Sequence, residues 1–159
     1  PFLGICLGMQ CAVIEFARNV LNLKDASSTE FDEHTKNPVV HILPNQDLKK
    51  IGGTMRLGNW ECKITKNSLA YKIYKKTNVL ERHRHRYEMN KKYMPLFEKN
   101  GMIVSGLSNI AELPEIVEIK EHPFFIGVQY HPEYNSTPLS PNPLFLALIK
   151  AALDFSGHN

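Results

Sequence analysis

The chain has 159 residues, 43% of them hydrophobic, which is enough to bury one sizeable core and points to one domain or part of one. A net charge of +3 and a pI of about 8.8 are too mildly basic to argue for a nucleic-acid partner. No apolar run is long enough for a membrane span, and no signal-peptide pattern opens the chain. Three cysteines, Cys6, Cys11 and Cys62, are too few and too unevenly spaced for a disulfide framework or a zinc site, so a reducing compartment is expected.

The chain starts without an initiator Met on a strand-like apolar run, which reads as a cut through a larger protein. That run ends in Gly4-Ile5-Cys6-Leu7-Gly8, the cysteine counterpart of the Gly-x-Ser-x-Gly elbow, where a strand-to-helix turn holds a nucleophile exposed and strained. Gly4 and Gly8 would let the helix approach the strand without a Cβ clash. Cys6 would sit at a helix N-terminus, where free N–H groups favour the thiolate. A buried structural cysteine beside a glycine-rich turn is the competing reading.

A helix is predicted over residues 7–21, because Met9, Ala12, Val13, Phe16, Ala17 and Val20 recur at three and four. Residues 25–31 read as a polar loop, 39–43 as a short strand after Pro38, and 44–50 as a loop. Gly52-Gly53-Thr54-Met55-Arg56-Leu57-Gly58 is a second glycine-punctuated stretch feeding a strand through Ile64. Its bland reading is a turn, with Arg56 closing a salt bridge to a loop. Asn67 or Ser68 would cap a short helix to Tyr74. Residues 80–87 alternate, placing Arg82, Arg84 and Arg86 opposite His83, His85 and Tyr87 if extended. A helix over 92–100 stops at Gly101; strands follow at 102–104, 117–120 and 124–130; and Asn142-Pro143 opens a last helix to Phe155. This order predicts an α/β sheet carrying a β-rich excursion.

A cysteine nucleophile needs a base, and the base needs an orienting group. Of seven histidines, His131 stands at the end of an apolar strand, where open α/β sheets bind ligands. Glu133 lies two residues on, so in an extended segment both side chains point the same way. A loop histidine beside a surface glutamate is the alternative. The Arg/His block admits a nucleic-acid stripe, half a metal site at His83-x-His85, or plain sheet surface.

Gly4-Ile5-Cys6-Leu7-Gly8 with a distant His131-Pro132-Glu133 resembles the class I glutamine amidotransferases. Four further motifs narrow the resemblance to the CTP synthase family: Ser28-Thr29-Glu30-Phe31, the 52–58 stretch, Glu81-Arg82-His83-Arg84-His85-Arg86-Tyr87-Glu88, and His131-Pro132-Glu133-Tyr134 followed by Ser136-Thr137-Pro138. They run in order over nearly the whole chain. Tyr134 stands where that family usually has phenylalanine, and residues 19–31 and 44–50 look more like eukaryotic members than bacterial ones.

The resemblance implies an α/β class I glutamine amidotransferase (flavodoxin-like) sheet with flanking helices and a β-rich excursion, truncated at the N-terminal side. Residues 1–159 would be the C-terminal portion of that domain, the synthase domain lying elsewhere. It implies Cys6 as nucleophile, His131 as proton shuttle and Glu133 as its orienting acid. Leu7 would give an oxyanion-hole N–H, while Gly8, Met9, Gln10, Glu30 and Arg86 would help hold glutamine, with no metal. Glu30 is assigned to the substrate ammonium and Arg86 to its carboxylate. A second oxyanion donor would come from an upstream glycine-rich loop that these residues lack. The parent enzyme would convert UTP, ATP and glutamine to CTP, with ATP and Mg in the synthase domain and GTP as activator. It would be cytoplasmic, homotetrameric and able to form filaments. No cofactor is expected in this chain. Two rivals are a free-standing class I γ-glutamyl hydrolase, which needs neither the 52–58 stretch nor the Arg/His block, and a non-catalytic assembly module, which needs no intact Cys6, His131 and Glu133.

Overall fold

The computed structural model describes residues 1–42, 55–110 and 112–157. In chain order the elements are β1 (Phe2–Ile5), α1 (Leu7–Asn19), β2 (Ala26–Ser28), β3 (Asn37–Ile42), β4 (Arg56–Ile64), α2 (Leu69–Tyr74), β5 (Asn78–His85), β6 (Tyr87–Met89), α3 (Met94–Lys99), β7 (Met102–Ser108), β8 (Pro114–Ile119), β9 (Phe125–Val128) and α4 (Pro143–Ser156). The predicted loop at 44–50 and Gly52, Gly53 and Thr54 lie outside the described residues.

Six strands form one sheet in the order β1-β9-β8-β7-β4-β5, and β2-β3-β6 form a second. Within the larger sheet β1 and β9 run parallel, while its other neighbours pair antiparallel. The β-rich excursion is thus the β4–β5 hairpin together with β7 and β8.

Alternation along the strands splits the core between the two faces of this sheet. Val117 packs with Met9, Val13, Phe16, Phe97 and Met102 on the α1 and α3 side. Its neighbour Ile116 packs with Cys62, Ala70, Ile126, Tyr130 and Leu144 on the α2 and α4 side. Helix ends follow the sequence signals. Ser68 accepts from the Tyr71 N–H at 3.0 Å, Asn142 Oδ1 accepts from the Leu144 N–H at 3.1 Å, and Gly157 closes α4 at φ 75°. Among the described residues no helix is long and apolar enough to cross a membrane.

Three local expectations are corrected. Part of the predicted 25–31 loop is β2, whose three small residues are all buried. Backbone buried that deeply must pair, and it does so with β3, while Arg18 Nε donates to the Ala26 carbonyl at 2.6 Å. Strand β7 continues through Ser105 and Gly106 to Ser108, its register against β8 slipping at Gly106 instead of ending at a turn. Of the two elbow glycines only Gly4 is sterically required, since a Cβ there would lie 2.8 Å from the Gly8 carbonyl carbon. A Cβ on Gly8 would meet nothing within 4 Å among the described residues.

Candidate active site

The parallel pairing of β1 and β9 puts their C-terminal ends side by side, with Ile5 opposite Val128. The Cys6 N–H donates to the Val128 carbonyl at 2.8 Å, which ties the elbow to the neighbouring strand. Cys6 then turns at φ 51°, ψ −106°, a conformation an L-residue adopts only under constraint, and α1 begins at the next residue.

His131 leaves the end of β9, its N–H bonded to the Arg82 carbonyl at 2.8 Å. Its Nδ1 lies 2.6 Å from Glu133 Oε1. The segment is not extended as the spacing argument assumed: Pro132–Asn135 is a 3-10 turn, which still brings the carboxylate back onto the ring. Because the carboxylate accepts, Nδ1 carries the hydrogen and Nε2 keeps its lone pair free. The Tyr134 ring lies 5.5 Å from the His131 ring and under the Arg82 guanidinium at 5.4 Å. Glu81, buried on β5, anchors this turn by accepting from Asn135 Nδ2 at 2.9 Å, Asn142 Nδ2 at 3.0 Å and the Tyr74 hydroxyl at 2.8 Å.

A cleft of about 220 Å³ opens beside Cys6, lined among others by Leu7, Gln10, Glu30, Arg84 and Arg86. Five of the predicted site residues, Cys6, Leu7, Gln10, Glu30 and Arg86, therefore meet in one place. The lining of the cleft does not include Gly8, Met9, His131 or Glu133. Gly8 borders a different depression, beside Phe2 and Cys11, and the Met9 side chain is fully buried in the α1 core. Arg84, to which the sequence reading gave no role of its own within the Arg/His block, is an additional cation on the cleft wall.

The Cys6 thiol is harder to ionise than the helix position suggested. Burial raises it most. The Leu7 N–H opposes this, the carboxylates of Glu133 and Glu30 raise it further, and Gln129 lowers it slightly. Burial of the half-open elbow outweighs the helix-end donors, so at rest the group is a thiol awaiting a base. Cys62 is buried, with its thiol pushed far up by burial, whereas Cys11 is exposed. A glutamine-shaped electrophile is expected to label Cys6 and spare Cys11 and Cys62, while a small neutral reagent also labels Cys11. Peptide mapping reads this directly, and labelling of Cys62 at the rate of Cys6 would contradict it.

Behind the cleft wall the alternation of β5 turns His83 and His85 inward. His83 Nδ1 and His85 Nε2 are hydrogen-bonded at 2.8 Å, and His85 Nδ1 faces the Tyr87 carbonyl at 3.2 Å. His83 Nε2 lies 3.0 Å from Glu115 Oε2, and Arg56 pairs with Glu115 and, at 3.5 Å, with Glu88. The Glu115 oxygens make these contacts at ion-pair distance without hydrogen-bond alignment. Arg56 thus pairs with strand carboxylates and not with a loop. Burial, helped by the charges of His83 and Arg56, drives His85 down to about 2, so it is neutral. Burial also lifts Glu88 to about 8. The two histidines face each other and Glu115 in the interior, and among the described residues no group of three or more His, Cys, Asp or Glu is arranged to hold a metal ion.

Gln129 was missed altogether. It is fully buried just past the end of β9, two residues before His131, with Nε2 3.7 Å from Cys6 Sγ and Oε1 3.2 Å from Gln10 Nε2. A polar residue inside the apolar run 124–130 was the one available signal.

A family model described as glutamine amidotransferase class-I matches residues 1–151. A CTP synthase of Cytophaga hutchinsonii is 56% identical over 157 residues, 98% of this chain and 29% of that protein. One of Caldanaerobacter subterraneus is 53% identical over 160 residues, 100% of this chain and 30% of that protein. The chain therefore spans about three-tenths of the length of these relatives. Among solved structures, the glutaminase domain of Trypanosoma brucei CTPS with bound acivicin superposes with a TM-score of 0.90 at 40% identity, over 97% of this chain and 60% of that one. The two bacterial relatives are more similar in sequence, at 56% and 53% identity, than the trypanosomal domain at 40%. With residues 1–151 matched by the family model and the fold shared with a solved glutaminase domain, the chain belongs to the class I glutamine amidotransferase family.

Proposed function

We propose that this chain is the C-terminal portion of the amidotransferase domain of a CTP synthase and hydrolyses the side-chain amide of glutamine. The observation that carries the reading is the strained Cys6 elbow set beside the His131–Glu133 pair on the adjoining parallel strand. In this reading His131 Nε2 takes the Cys6 proton as glutamine binds, and the sulfur attacks the amide carbon. The developing oxyanion turns toward the Leu7 N–H. His131 returns its proton to the departing ammonia, leaving a thioester that water hydrolyses to glutamate. Glu133 holds the Nδ1–H tautomer throughout. Glu30 would receive the substrate ammonium and Arg86, with Arg84 beside it, the carboxylate.

The names of the relatives support the second half of the proposal. Ammonia passes to a synthase domain, where ATP-activated UTP is aminated to CTP. ATP and Mg belong to that domain and GTP acts as activator, in a cytoplasmic homotetramer able to form filaments. The test is the full-length protein supplied with glutamine, UTP and ATP, with glutamate and CTP measured together. Equal amounts of both support the reading; glutamate without CTP favours a free-standing hydrolase, and neither product refutes it.

A further inference from the structure

Gln129 touches the sulfur that the proposed reaction uses, and the direction of its amide can be worked out from its neighbours. The Tyr87 backbone carbonyl can only accept, so the Gln10 atom 2.8 Å from it is the nitrogen. That nitrogen has a second hydrogen, which points at Gln129 at 3.2 Å, so the Gln129 atom there is its oxygen. The Gln129 nitrogen is then the atom presented to Cys6 Sγ, at 3.7 Å. Rotating either amide by half a turn would oppose two acceptors or two donors in a place closed to water, since Gln10 and Gln129 are 3% and 0% exposed. The Gln129 N–H also bonds the Glu115 carbonyl at 2.8 Å, fixing its backbone.

We propose that Gln129 is a further catalytic residue of this site, an N–H donor locked onto the Cys6 sulfur by a chain running from the Tyr87 carbonyl through Gln10. A neutral donor of this kind favours the thiolate over the thiol and aims the sulfur, and it neither takes nor gives a proton. The Cys6 proton goes to His131. Other groups facing the sulfur are the Leu7 N–H and the carboxylates of Glu30 and Glu133, and Arg84, His85 and Arg86 stand on the cleft wall. None of them shares Gln129's position beneath the elbow. Gln10 acquires a second role here, orienting Gln129 apart from any contact with glutamine.

The inference rests on Cys6 being the nucleophile of the proposed reaction, but its test reads the thiol and not turnover. The full-length protein is treated with iodoacetamide over a range of pH, and the Cys6 peptide is followed by mass spectrometry. Gln129→Met should move the alkylation midpoint upward and slow the reaction below it by roughly 5- to 10-fold, the effect of losing one such hydrogen bond. Gln129→Glu should slow it more, since it sets a carboxylate against the sulfur. Gln10→Met should give a partial effect, and the Gln10→Met/Gln129→Met pair should be no slower than Gln129→Met alone, because both act through one donor. Exposed Cys11 serves as the control for reagent, and protection of Cys62 as the control for folding. A wild-type midpoint in Gln129→Met, or two effects that simply add, overturns the proposal. If Gln129→Met exposes Cys62, Gln10→Met alone decides: an upward shift supports the chain and an unchanged midpoint overturns it. A clear shift in a protein that does not hydrolyse glutamine would sink the proposed function and leave this donor standing.

Discussion

Cys6→Ala and His131→Ala are each expected to lower glutamine-dependent CTP formation by on the order of 10⁴-fold or more in the full-length protein, leaving ammonia-dependent CTP formation intact. The alanine at position 6 would remove the proposed thioester route, and the one at 131 the base proposed to open it. Glu133→Gln is expected to cost less, on the order of 10²-fold. Glu133 neither forms nor breaks a bond; it fixes the His131 tautomer through one contact of 2.6 Å. Its side chain is 46% exposed, so water can take over part of that duty, and the His131 backbone stays anchored by the Arg82 carbonyl. Initial rates with glutamine and with ammonium chloride, measured on the same preparations, check all three variants. Loss of the ammonia reaction in Cys6→Ala would show that the division of labour between two domains is wrong. A Glu133→Gln loss as deep as that of His131→Ala would show that solvent cannot replace the carboxylate.

The parts of this site that could be read from sequence are those that rest on local rules. Gly4 before Cys6 announces a helix brought within van der Waals contact of a strand, and the turn follows from those few residues. The alternation over residues 80–87 puts the histidines and the arginines on opposite faces because a strand has period two, and the fold decides that the histidine face is the inner one. Asn142-Pro143 starts α4 for reasons contained in two residues. What could not be read depends on partners far away in the chain. Gln129 meets Cys6 across 123 positions, and Glu118 bonds the Leu69 and Ala70 N–H groups across 49 and 48. Nothing in a strand of mostly apolar residues says which distant group a lone polar side chain will meet. The ionisation of Cys6 was misjudged for the same reason: the helix end is local, but the burial that outweighs it comes from the whole fold.

Replacing Glu88 with glutamine is expected to flatten the loss of stability of the fold between about pH 6.5 and 8. Glu88 is fully buried on β6, and its Oε2 has no hydrogen-bond partner. Its Oε1 has long contacts of 3.5 Å to Arg56, whose closer partner is Glu115, and 3.6 Å to Nδ1 of the neutral His85. Burial therefore prevails over the nearby cation, and the carboxyl stays protonated up to about 8, against an ordinary value of 4.5. The folded chain keeps this proton where the unfolded chain has already released it. The stability Glu88 contributes is thus complete below about pH 4.5 and declines as pH rises through about 8. At most about 5 kcal/mol is at stake, a large share of the typical stability of a domain. Neutral glutamine has the same shape and does not titrate, so Glu88→Gln should match the wild type near pH 5 and exceed it above pH 8. His85 acts in the opposite sense. It is held neutral down to about 2, so its contribution is present above the ordinary histidine value of 6.5 and is lost as pH falls below it. The acid limb should therefore survive in Glu88→Gln. A multidomain protein does not give one unfolding free energy, so the measurement is local: the rate at which buried Cys62 becomes open to alkylation, taken from pH 5 to 9. In the wild type, once corrected for the reagent's own pH dependence, that opening should accelerate as pH rises from about 6.5 to about 8 and level off above it. In Glu88→Gln it should stay nearly flat above about pH 6.5 and speed up only on the acid side, through His85, and equal alkaline acceleration in both proteins would show that Glu88 is already ionised in the fold.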